Sequence, residues 1–200
     1  MALRAAAGAP VMGTGIVSEA LALDGHEALS DVLLGVTVAL ALALLTALAH
    51  ALRTERAAVA RAAATPASLT VVAALGVLGT RLAQVGARAA GIALLALAVV
   101  CWAPLLLRVL RAWRRPAAGA GFLVSVATQA IAVLCATLGA RGPAVVLLAA
   151  GLGLYAFALR SFDLGEIRRG RGDQWVAGGA LAIAALAAAA CALRPAALAL

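Results

Sequence analysis

The sequence predicts an all-α fold, a polytopic membrane bundle of about seven transmembrane helices with the odd-numbered helices inside and the even-numbered ones outside. Three observations predict it. Of 200 residues, 66% are hydrophobic and a further 20 are glycine, well above the ~45–50% apolar content of soluble domains. A chain this short has too little interior to hide so much apolar surface, whereas a bilayer accepts it on every outward helix face. The charged residues divide the chain into apolar runs near the ~20 residues that cross a bilayer, and small polar residues gather in alternate runs.

The charge-free runs are 5–18, 32–52, 62–80, 89–107, 116–140, 142–159 and 174–193. They predict a single transmembrane domain over 1–200, with spans at roughly 6–22, 32–52, 64–82, 89–108, 119–139, 143–160 and 174–193. The first run is short and has two readings. Arg4, the apolar stretch and Ala20-Leu21-Ala22 have the order of a secretory leader. Gly8, Pro10, Gly13, Thr14, Gly15 and Glu19 suit instead a broken or short first span, of the kind tolerated where freed backbone lines a protein cavity.

The second, fourth and sixth spans read ALALLTALAH, ALLALAVVCWAPLLL and VVLLAAGLGLYAFAL, plain lipid-facing helices. The odd spans carry VMGTGIVS, GVLGTR, FLVSVATQA and DQWVAGGALA. Small residues let helix backbones approach closely, and hydroxyl and amide side chains hydrogen-bond across a bundle, so helix packing alone explains each motif singly. Their joint enrichment in the odd spans predicts an inner ring with a bore, because short side chains leave room and exposed polar groups replace part of an ion's hydration shell.

All sixteen basic residues are arginine, against eight acids, for a net charge of +8. With a cytoplasmic N-terminus, only Arg81, Arg88, Arg141 and Arg194 fall outside and the other twelve fall inside, as the positive-inside rule requires of a multi-pass protein of the cell membrane. Arginines beside anionic headgroups account for the excess, and no basic run interleaved with aromatics points to nucleic acid. Cys101, Cys135 and Cys191 sit singly in apolar runs, without the pairing of a disulfide or metal site. No cofactor is implied.

Arg81, directly after Leu78-Gly79-Thr80, is either a functional cation facing a cavity or an anchor snorkelling to headgroups. By depth, Glu19 is its nearest candidate counter-ion. Gln129, with Ser125 and Thr128 within a turn, must satisfy its amide in a dry bundle, through an interhelical bond or a bore. Gly178 and Gly179 permit close packing or a widening.

VMGTGIVSEALALDG (residues 11–25) resembles the opening helix of the tellurite-resistance/dicarboxylate transporter family, relatives of the plant guard-cell slow anion channel. FDLGEIRRGRGDQWVAGGALAIAALA (162–187) resembles the seventh-helix region of its actinobacterial members, and LGTRLAQVG (78–86) is similar to the third helix. The resemblance implies five hairpins with odd helices around a pore, a homotrimer with one pore per subunit, and passage of small inorganic anions or dicarboxylates. It implies pore-facing positions at Gly13, Thr14, Gly15, Ser18, Gly79, Thr80, Gly178 and Gly179. Arg81, Ser125, Thr128 and Gln129 join them from the residue pattern. The family continues through three further helices, one with a gating phenylalanine, where this sequence ends at Leu200.

Two functions follow as expectations. The first is an anion channel or exporter without covalent chemistry; the alternative is a truncated, non-conducting membrane protein whose small residues serve packing. An intramembrane enzyme is disfavoured: no GxSxG occurs, and His26 and His50 fall on opposite sides of the predicted membrane.

Overall fold

The computed structural model describes residues 6–169 and 174–192, and every regular element among them is helical. In chain order these are α1 (Ala9–Leu23), α2 (Glu27–Thr54), α3 (Arg56–Ala62), a 3₁₀ turn Pro66–Leu69 leading into α4 (Thr70–Gln84), α5 (Arg88–Arg111), a 3₁₀ turn Gly119–Phe122 leading into α6 (Leu123–Thr137), α7 (Arg141–Ser161), α8 (Gly165–Arg169) and α9 (Trp175–Ala192). Among the described residues, six stretches are long and apolar enough to cross a membrane: α2, Pro66–Gln84, α5, Gly119–Thr137, α7 and α9. Arg4, Arg171 and Arg194, which enter the orientation count, lie outside the described residues.

The first apolar helix differs from a broken span. Pro10 stands in its first turn, where a missing N–H costs nothing, and α1 then runs without interruption through Gly13 and Gly15. Its 15 residues rise only about 23 Å, short of the ~30 Å hydrocarbon core. α2 begins earlier than the charge pattern suggests and carries Glu27 and Asp31 in its first turns, because a 28-residue helix of about 42 Å extends well beyond that core.

Three hairpins are built on one plan. α1 and α2, α4 and α5, and α6 and α7 are each joined around a glycine with positive φ: Gly25 (82°), Gly86 (89°) and Gly139 (85°). The closing bonds are the same each time. His26, Ala87 and Ala140 donate their N–H to Leu21, Leu82 and Cys135 at 2.8–2.9 Å, while each glycine donates to Ala22, Ala83 or Ala136 at 3.0–3.2 Å. This is the Schellman ending, which requires a left-handed residue after the helix. Gly86→Ala should therefore cost roughly 1–2 kcal/mol and lower Tm in detergent by about 2–8 °C.

Counted from these glycines, the packing has a common register. The residue five positions on is Ser30, Gly91 or Ala144, and the residue twelve positions on is Thr37, Ala98 or Gly151, all buried. Seven positions before each glycine stands Ser18, Gly79 or Ala132, also buried. Small side chains spaced by seven bring each outer helix close to its inner partner along one seam. A Cβ on Gly91 would lie 3.1 Å from the Gly79 carbonyl oxygen, and one on Gly151 only 2.5 Å from Gln129 Nε2.

Burial separates two layers. The most apolar 18-residue stretches of Pro66–Gln84 and Gly119–Thr137 are 72% and 89% buried, against 6% in α2, 11% in α5 and 17% in α7. α1, α4, α6 and α9 pack side by side in that order, each touching the next, and α2, α5 and α7 lie outside them. α9, at one end of the row, is 22% buried. The exposed leucines and valines of the outer helices, such as Leu42, Leu45, Val100 and Val146, make these faces apolar, which is compatible with a bilayer around them. At the opposite end from the glycine turns, Ala117 donates to the Ser161 carbonyl (2.7 Å) and accepts from the Asp163 N–H (3.1 Å), clipping the α5–α6 connection to the end of α7.

Candidate functional site

The four helices of the inner row line one open-sided cavity of about 240 Å³, with Ile16 and Leu23 exposed along its edge, room for roughly eight waters at ~30 Å³ each. Its walls follow the hairpin register. Nine residues before the turn glycines stand Ile16, Val77 and Ala130, and six before them Glu19, Thr80 and Val133; all six line the cavity. α9 contributes Ile183 and Leu186, with the same spacing of three, and Gly179 one turn away. By register the chamber has two incomplete rings, Ile16, Val77 and Ala130, then Glu19, Thr80 and Val133, with Ile183 and Leu186 of α9 lining it beside them.

Its polar groups are few. Glu19 is 5% exposed and lies about 9 Å along α1 from Gly25. Gln84 Nε2 donates to Glu19 Oε1 at 3.3 Å. Thr80 Oγ1 donates to the Gly76 carbonyl of its own helix at 3.0 Å, leaving the hydroxyl oxygen's remaining acceptor capacity.

Arg81 follows Thr80 in sequence but turns toward α2. Its Nη2 and Nε donate to Ser30 Oγ at 2.8 and 3.1 Å, and Nη2 pairs with Asp31 Oδ1 at 3.3 Å. Ser30 Oγ in turn donates to the Ser18 carbonyl at 2.6 Å, and Ser18 Oγ to the Ser30 carbonyl at 2.8 Å. Asp31, 63% exposed, is therefore the direct ion-pair partner of a guanidinium that is 4% exposed, while Glu19, the acid expected in that role, meets the same charge only through space. The reason is helical geometry: Thr80 and Arg81 are 100° apart around α4, so one faces the cavity and the other the α1–α2 hairpin.

Among the positions expected to face a bore, Thr80 and Gly179 line the cavity. Gly15 packs on Val77 and Thr37, and Gly79 on Leu134 and Leu94. Thr14 Oγ1 donates to the Pro10 carbonyl at 2.9 Å and accepts from Thr37 Oγ1 at 3.1 Å. Ser18 is in the Ser30 pair described above. Gly13 and Gly178 are exposed, with nothing within 4 Å of an added Cβ. The fifth-span polar group points at its neighbours in the outer layer. Ser125 Oγ donates to the Gly151 carbonyl (2.9 Å), Trp102 Nε1 to Thr128 Oγ1 (2.9 Å) and Gln129 Nε2 to the Leu148 carbonyl (3.3 Å). Gln129 Oε1 has no partner among the described residues.

Ile16, Val77, Ala130 and Ile183 were not singled out by the polar pattern because they are ordinary apolar residues. The turn glycines, used as a register mark, would have found the first three. Comparison with known proteins finds no matching family model, no matching curated protein and no matching solved structure.

Proposed function

We propose that this chain is a seven-span membrane protein, N-terminus cytoplasmic, that passes a small anion along the axis of the inner row, as a channel or exporter of the tellurite-resistance/dicarboxylate transporter type. The observation that carries it is the chamber: the first helices of three hairpins present side chains at equivalent register to one cavity, and α9 completes its lining. The sequence resemblance supports anions as cargo. The substrate class is chloride, nitrate, sulfite or a dicarboxylate such as malate, moved without covalent chemistry. A homotrimer in the cell membrane is the assembly that the resemblance favours.

Purified protein in liposomes should give flux of at least one of these anions above an empty-liposome control, with little potassium flux. Cation flux instead would overturn the assignment. A second function, a non-conducting membrane scaffold, has its own support: Gly15, Ser18, Gly79 and Ser125 all serve hairpin or helix seams. It predicts a monodisperse, folded sample that passes none of the four anions.

A further inference from the structure

α2 and α5 stand apart on the outer face, and α4 forms the floor of a cleft between them. The cleft has two connected stretches, of about 100 and 300 Å³, which share Leu48, Val71 and Cys101 as lining. It runs along α5 from Leu94 to Arg108, fifteen residues spanning about 21 Å, somewhat more than one leaflet's share of the ~30 Å hydrocarbon core. Its walls are apolar until the end beside α3, where Ser68 and Arg108 stand.

Hydrocarbon walls exclude water, which would find no hydrogen-bond partners there. A transmembrane helix is too thick: at 10 Å across, a 21 Å length needs on the order of 1,600 Å³. An extended acyl chain has the right shape. The charged end fits its headgroup. Arg108 is exposed and forms no ion pair among the described residues. Exposed Arg53, Arg56, Arg61 and Arg111 lie nearby in α2, α3 and α5, with Glu55 the one acid between Arg53 and Arg61. α3 places Val59 in the cleft wall, so this short helix joins the apolar groove to the basic rim.

We propose that the α2–α5 cleft is a binding site for an anionic phospholipid, with one acyl chain in the cleft and the phosphate on the Arg108 guanidinium. Guanidinium–phosphate hydrogen bonds are charge-assisted and geometrically matched, and the arginine rim favours a net negative headgroup over a zwitterionic one. The site is independent of any transport activity.

The test is native mass spectrometry of the full chain in detergent with equal phosphatidylglycerol and phosphatidylcholine of identical chains. The wild type should retain one phosphatidylglycerol preferentially. Arg108→Gln should cut that preference about fivefold, the effect of one basic residue near a headgroup, while Arg160→Gln, an exposed arginine at the end of α7, should not. Cys101→Phe, which fills the shared stretch, should reduce retention of both lipids. Equal retention of the two lipids by the wild type, or Arg108→Gln and Cys101→Phe proteins that bind as the wild type does, would mean annular lipid only and would overturn the proposal.

Discussion

A Gly76→Val protein is expected to lose roughly 3 kcal/mol of stability, the upper part of the range for overpacking a well-packed core. α4 and α6 cross at this residue, where an added Cβ would lie 2.8 Å from Ala130 Cβ and 2.9 Å from the Ala130 carbonyl carbon. A flexible side chain would move aside, but backbone does not, so the two most buried helices must separate along their contact. Thermal unfolding in detergent should show Tm lowered by about 6–12 °C. Gly35→Val is the matched control, because nothing lies within 4 Å of a Cβ there, and its Tm should stay near the wild-type value.

Glu19→Gln is expected to raise anion flux by about tenfold if the chamber is the path. Glu19 is the one acid among the described residues that line the cavity, and Gln84 Nε2 donates to it over a long 3.3 Å. A unit negative charge about 8 Å from a permeating anion opposes it by roughly 2 kcal/mol at an effective dielectric near 20. Water and counter-ions in the chamber reduce that to something nearer the 1.4 kcal/mol that corresponds to tenfold. Glutamine keeps the shape and the acceptor oxygen toward Gln84 while removing the charge. Chloride and nitrate flux in liposomes measures it, and a fall in flux would mean that the carboxylate assists passage and that the cargo is not a simple anion. Arg81→Gln should change flux less, since Asp31 already neutralises Arg81 from outside the chamber.

The helices were legible because charge spacing and bilayer thickness act on the same length scale. Arg88 and Arg141 begin helices in the structure as the charge-free runs require, while α5 continues past Arg108 to Arg111. The two layers were legible too, since lipid-facing spans need leucine and valine over most of their circumference while α4 and α6 do not. The side of each inner helix that faces the cavity was not legible from polarity. Hydroxyls and amides within a membrane go where partners are, and for Ser18, Ser125, Thr128 and Gln129 those partners are on neighbouring helices. The cavity-facing stripe is instead the residue set left over, which is mostly apolar. Gly25, Gly86 and Gly139 were visible in the sequence but did not signal anything until their positive φ angles showed them to be equivalent turns.

The central claim, that the path runs between the inner helices, is tested most directly at Ile16, an exposed residue of the first ring. With Cys101, Cys135 and Cys191 replaced by alanine, Ile16→Cys protein in liposomes is treated with a charged methanethiosulfonate reagent, and labelling is read by mass alongside anion flux. The account predicts that Ile16→Cys is labelled and that labelling abolishes flux, whereas Leu42→Cys on the exposed face of α2 leaves flux intact. Full labelling at position 16 with unchanged anion flux would contradict it.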